Sequence, residues 1–377
     1  MTTTTRPEAH RTDSPRRQET NCFDFLRLLA ALAVVVQHAV EHTGSGFLWY
    51  APGSGRWFGD GVAVFFVISG GLVFASALRC HESGRGWSEY FRNRLLRIAP
   101  AIYVYLVLMV GLLLLTGVVG TRSLADPHFL AWAGSTLLLV PVYHPLLLAD
   151  FGTGVVNGSL WTIPAEVGFY LIVPGLVLLA VRRSVRLMVL VTAVAAVLGC
   201  GLHAYLAGVD PDALLSRLVS VSVVPWIGYF LLGMILVRVW DRLPQSGPVA
   251  LAALGGYAVL TWTQHQVGAS GRAVIALLAA VPLAYLVYWV GHRGPRVLRG
   301  LTARIGDLSF GAYIWHMPVI NLLLWAGVDN WRVRGTPLVL LVVAITLACA
   351  YASWNLVERP ALQLKRYSVR GGVSRPA

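Results

Sequence analysis

Long apolar runs separated by short polar breaks dominate this 377-residue chain. Eleven such runs stand out, at roughly 25–42, 61–78, 95–117, 129–142, 160–181, 187–206, 218–239, 249–264, 273–290, 305–326 and 337–357. A helix needs about 20 apolar residues to cross the hydrocarbon core of a bilayer. The fourth run, Phe129–Val142, is the shortest, and Pro141, Pro145 and a glycine-rich stretch close it. The pattern predicts an all-α polytopic membrane protein of about ten transmembrane helices plus one short interfacial or re-entrant segment. Residues 1–20 and 368–377 lack apolar periodicity and are expected to be a disordered arm and a disordered tail flanking a membrane domain over 21–367.

Charge then orients the helices. Only 12% of residues are charged and 56% are hydrophobic, against about 25% charged in a soluble domain. The net charge of +13 would suit a nucleic-acid binder on one basic face. Here the arginines sit between apolar runs, so no nucleic-acid partner is expected. With the fourth run kept out of the count, 24 basic residues fall on one side of the bilayer and six on the other. If that run spans, the bias largely cancels. The positive-inside rule therefore predicts a multi-pass protein of the cell (plasma or inner) membrane with both termini cytoplasmic. The first run contains Arg27 and no small-residue cleavage site follows it, so it reads as a retained span.

Four scattered cysteines, Cys22, Cys80, Cys200 and Cys349, give neither a zinc spacing nor a disulfide pattern, and no metal is expected. P-loop, GxSxG and HExxH patterns are absent.

Ionisable groups within spans are costly and mark candidate chemistry. Arg27 and His38 lie eleven residues apart in the first run, three turns along one face and about 16 Å along the axis. Snorkelling to headgroups, with Asp24 as a partner, is the alternative for Arg27. Arg94 and Arg97 open the third run at a spacing that puts them on one face. Guanidinium suits phosphate, though ordinary charge bias also accounts for arginines here. Glu166 is an acid inside an apolar run and needs a cation or a proton. Ser309, Tyr313 and His316 form one stripe, for interhelical hydrogen bonds or for substrate contact. Ser69, Gly70 and Gly71 read as tight helix packing.

These residues resemble a known family. Asp24-Phe-Leu-Arg27 with His38, Gly61-Val-Ala-Val-Phe-Phe-Val-Ile-Ser-Gly70, Arg94-Leu-Leu-Arg-Ile-Ala-Pro100, Asn157-Gly-Ser-Leu-Trp-Thr-Ile-Pro-Ala-Glu166, and Ser309-Phe-Gly-Ala-Tyr-Ile-Trp-His316 with Glu358-Arg-Pro360 occur in this order. Over about residues 21–362 the chain is similar to the family-3 membrane acyltransferases, which include O-antigen acetylases, nodulation-factor acetylases and macrolide acyltransferases. Gly71 departs from the Phe that many members carry there. The resemblance implies ten helices, acyl-CoA (acetyl-CoA foremost) as co-substrate, and functional roles for His38, Arg27, Arg94 and Arg97.

The expected reaction moves an acyl group to a hydroxyl of a carbohydrate or glycolipid acceptor. His38 would be the base and Glu166 would orient it. Arg27, Arg94 and Arg97 would hold CoA phosphates, and Tyr313, His316, Ser309 and Trp161 would contact substrate. An acyl-His intermediate stays open. The competing class is a membrane transporter or flippase, against which the absence of internal repeats counts.

Overall fold

A computed structural model describes residues 21–52, 60–182, 185–264, 266–328 and 333–366. The arm 1–20 and the tail 368–377 lie outside the described residues. The fold is all α. Its helices are α1 (Phe23–Thr43), α2 (Gly61–Glu82), α3 (Trp87–Leu115), α4 (Pro127–Leu137), α5 (Thr162–Arg182), α6 (Val185–Val209), α7 (Leu214–Ser220), α8 (Ile227–Val239), α9 (Gly247–Gln264), α10 (Ala269–Arg293), α11 (Arg296–Ile305), α12 (Ser309–Trp325), α13 (Thr336–Ser353) and α14 (Arg359–Gln363).

Among the described residues, eight helical stretches are long and apolar enough to cross a membrane. The 18-residue α9 and the 17-residue α12 bring the apolar helices to ten. The 11-residue α4 is about 16 Å long, roughly half a hydrocarbon core. Its Asp126 caps it by accepting from the His128 N–H at 2.7 Å, and Pro127 fills the first turn.

Two expectations change. The run 218–239 is not one helix: α7 stops at Ser220, a 3₁₀ turn over Val224–Trp226 intervenes, and α8 starts at Ile227. Pro225, which cannot donate a ladder bond, accounts for the break. The run 305–326 holds one helix, α12, which starts later than expected. Gly306 takes φ +86 with the Trp354 indole pressed against it, which ends α11 and lets α12 start afresh at Ser309.

Contacts sort the helix ends. The Cys22 N–H donates to Gly291 O at 2.8 Å, and Arg92 donates to Leu364 O at 2.9 Å. The starts of α1 and α3 thus meet the ends of α10 and α14 at one end of the bundle, the arginine end. At the opposite end the Leu48 N–H donates to Thr336 Oγ1 at 2.9 Å.

Glycines let α2 and α8 touch backbone to backbone. A Cβ on Gly70 would overlap the Phe230 carbonyl, and one on Gly233 would overlap the Val67 carbonyl. Gly71 has a different neighbour: the Tyr288 hydroxyl occupies the space a side chain would need and donates to Gly233 O at 2.6 Å. The Gly71 departure is thus matched by a tyrosine from α10.

Prolines inside helices free carbonyls four residues back, and polar side chains take them. Pro318 in α12 frees Ile314 O, which accepts from Asn157 Nδ2 at 2.9 Å. Pro174 in α5 frees Tyr170 O, which accepts from the Tyr90 hydroxyl at 3.2 Å. Asn321 adds further stitches from α12 to the preceding loop, donating to Val155 O and Val156 O at 2.9 Å and accepting from the Thr153 N–H at 2.8 Å.

Candidate active site

Two polar clusters occupy the seam between α1 and α12. The helices run in the same direction there, since Arg27 and His38 of α1 meet Asp307 and His316 in the same order.

At the arginine end, Asp307 lies just before α12. Its Oδ2 accepts from Arg27 Nη1 at 3.2 Å and from Arg97 Nη2, and its Oδ1 accepts from the Ser309 hydroxyl at 2.5 Å. All three charged side chains are mostly buried, exposing 17%, 12% and 11% for Arg27, Arg97 and Asp307. Arg27 therefore pairs 280 residues along the chain rather than with Asp24. The Arg97 guanidinium also lies over the Phe310 ring, 5.9 Å from its centroid. Arg94 sits on the same face of α3. It donates to Ser76 Oγ at 3.3 Å, lies over the Tyr170 ring at 5.7 Å, and has no carboxylate partner among the described residues.

A cavity of about 270 Å³ opens beside this cluster, lined by Arg27, Arg79, Arg94, Arg97, Glu166 and Lys365 among others. Lys365 is the only lysine of the chain. Burial, followed by the Arg94, Arg97 and Arg27 cations, lowers its ammonium to about 8. Five cations thus line the cavity, and one carboxylate holds two of them in place, an arrangement with the chemistry to attract an anion.

A smaller cavity of about 50 Å³ continues inward past Ser69, Thr162, Glu166, Ser309 and Tyr313. Tyr313 closes it. Its hydroxyl donates to Ser159 O at 2.7 Å and accepts from Thr162 Oγ1 at 2.9 Å.

Beyond Tyr313, whose ring centroid is 5.9 Å from that of His316, lies the second cluster. His38 Nδ1 and His316 Nε2 are 2.8 Å apart. His316 is fully buried and His38 half-buried. The proton positions follow from the partners. His316 Nδ1 is 3.2 Å from Ala312 O, and a carbonyl can only accept, so His316 Nδ1 carries the proton. In the neutral ring its Nε2 then accepts from the His38 Nδ1–H. That leaves His38 Nε2 with a bare lone pair. His42, exposed one turn further on, stands 5.7 Å from His38 between ring centroids.

The structure thus groups Arg27, Arg94, Arg97 and Glu166 at one cavity, carries Ser309 and Tyr313 along the next, and pairs His38 with His316. Glu166 is not the neighbour that orients His38. It accepts from the Tyr170 hydroxyl one turn along α5, and the group bonded to the His38 ring is His316. Trp161 closes the 3₁₀ turn before α5 and packs on Trp226 at 5.5 Å. The Ser309 hydroxyl is committed to Asp307.

A protein-family model described as an acyltransferase domain matches residues 20–355. The chain belongs to this acyltransferase family. It is 32% identical to Nodulation protein 10 of Rhizobium leguminosarum bv. viciae, covering 92% of this chain and 94% of that protein. It is 24% identical to the peptidoglycan O-acetyltransferase OatA of Listeria monocytogenes, over 93% of this chain and 57% of that protein. It is 28% identical to the exopolysaccharide production protein ExoZ of Rhizobium meliloti, over 87% of this chain and 95% of that protein. No solved structure matches the chain.

Two residues of this membrane acyltransferase escaped the sequence reading. Asp307 was hidden because it opens an apolar run, where an acid reads as a helix-end residue. A carboxylate leading into a span that also carries a His was the available signal. Lys365 follows the last apolar run, and only the fold returns it to α3.

Proposed function

We propose that this acyltransferase moves an acetyl or other short acyl group from acyl-CoA to a hydroxyl of a carbohydrate or glycolipid acceptor. The names of its relatives, one a peptidoglycan O-acetyltransferase and one an exopolysaccharide production protein, support the acceptor class. The observation that carries the reading is the shared seam: an anion site and a bare imidazole nitrogen stand on α1 and α12 about 16 Å apart. That separation suits an extended pantetheine arm once Tyr313, which closes the inner cavity, turns aside.

In this reading Arg94 and Lys365 meet the donor phosphates, while Asp307 holds Arg27 and Arg97 at the mouth of the inner cavity. The charge bias of the loops supports an orientation in the cell membrane with the arginine end and both termini in the cytoplasm. The acceptor oxygen attacks the thioester carbonyl carbon and the carbon–sulfur bond breaks. The hydroxyl proton passes to His38 Nε2 and from there to the departing thiolate sulfur. His316 orients His38 and stabilises its charged form through the Ala312 carbonyl. Ser309, Tyr313 and Glu166 line the inner cavity, and Trp161 packs on Trp226.

The test is thioester consumption by the purified protein in proteoliposomes given acetyl-CoA and a saccharide fraction from the cell surface. Free thiol and acylated saccharide appearing in equal amounts is the expected result. Movement of saccharide across the bilayer without thioester consumption refutes the reading and favours a flippase.

A further inference from the structure

The largest cavity described is not part of the α1–α12 seam. It measures about 640 Å³ and lies between α2, α6, α8, α9 and α10. Asp60 before α2, Gln264 ending α9 and Arg272 in the first turn of α10 put its mouth at the end opposite the arginine cluster. His203, Trp226, Tyr229 and Cys200 line it deeper in.

Its chemistry is mixed in a particular way. Arg272 supplies donors, Asp60 an acceptor, and Gln264 and His203 both kinds. The lining carries one cation and one carboxylate, the latter accepting from the Tyr257 hydroxyl, so it selects for neither sign of charge. Two polar atoms of its lining residues, Trp226 Nε1 and His203 Nδ1, are turned away from the open space and have no partner among the described residues. Trp226 also begins an aromatic wall. Its ring lies 5.1 Å from Phe66, 5.5 Å from Trp161 and 6.0 Å from Tyr229.

A ligand matched to this lining is uncharged, offers alternating donors and acceptors, and has an apolar face for an aromatic ring. Those are the properties of a neutral saccharide. Phe66 lines the inner cavity and Trp226 the outer one, so a stacked pair of aromatic rings stands between them. We propose that this cavity is a binding subsite for a neutral saccharide segment of the acceptor, distinct from the His38–His316 pair. The proposal rests on the carbohydrate-acceptor reading.

Cys200 is a built-in reporter, since it is a free thiol in the cavity wall. With Cys22, Cys80 and Cys349 replaced by Ala, maleimide labelling of Cys200 is followed in nanodiscs. The probes are cellotriose, chitotriose and maltotriose, each at rising concentration, with inorganic pyrophosphate as the charged control. The expected result is that at least one trisaccharide slows labelling and that pyrophosphate does not. Trp226→Leu and Gln264→Ala should each weaken that protection by about tenfold, a loss of about 1.4 kcal/mol. No protection by any trisaccharide, protection by pyrophosphate alone, or protection unchanged in both variants overturns the proposal. Acyl transfer to the same trisaccharides is read in parallel. Transfer without protection sinks the subsite and leaves the acyltransferase reading standing. Protection of Cys200 without transfer leaves the subsite standing and turns the doubt onto the acceptor class.

Discussion

The two ends of the α1–α12 seam solve the same problem in different ways. Both place polar groups between apolar helices. At the arginine end the groups are permanently charged, and a carboxylate from a distant part of the chain bridges two of them. At the histidine end the groups are neutral rings satisfied by one another and by a backbone carbonyl. The first arrangement suits fixed attraction for an anion. The second suits a proton that must come and go, because an imidazole can exist uncharged in the membrane and a guanidinium cannot.

Removing the reactive nitrogen attacks the histidine end most directly. His38→Gln should lower transfer by about 10²–10⁴-fold while acetyl-CoA binding, measured by calorimetry in detergent, stays within about twofold. Equal losses in both would show that the two ends do not divide the labour. Asp307→Ala should next destabilise the arginine end by about 3–5 kcal/mol, since it leaves two buried cations without their shared carboxylate. Thermal unfolding in detergent checks this, and adding Arg27→Leu should recover part of the loss.

A smaller effect separates the cations. Arg94→Ala should weaken acetyl-CoA binding by about tenfold or somewhat more, the value of a charge-assisted hydrogen bond, with little change in unfolding temperature. Arg97→Ala should lower both. The smallest effect is a pH dependence. The Lys365 ammonium, lowered to about 8 by burial and then by the neighbouring arginines, is charged below that value and neutral above it. Donor affinity should therefore fall by a few-fold as pH rises through about 8, and Lys365→Arg should abolish the step. A step that survives Lys365→Arg assigns it to another group.

Much of this architecture could be read along the chain. The eleven apolar runs follow from the hydropathy pattern, and the loop charge bias singled out the short, proline-bounded fourth run as the one that does not span. The shared face of Arg27 and His38 also followed, since helical periodicity fixes it locally. What could not be read were the partners. Nothing near Arg27 in sequence points to Asp307, and nothing near Pro318 points to Asn157, because such pairings depend on which helices become neighbours. The Glu166 expectation went astray for the same reason. Its position in an apolar run was legible, but whether it met an imidazole or a tyrosine depended on the rotation of α5. The break in 218–239 was overlooked because the apolar composition continues across Pro225.

The glycine crossing of α2 and α8 carries one more implication. With no side chain between the two backbones there is nothing to compress and no slack in which to slide, so this joint behaves as a weld. Tyr288 ties α10 to the same joint, so any opening that admits a bulky substrate has to happen around all three helices. A methyl group added at Gly233 would pry that joint apart, and every cavity wall attached to it would shift at once.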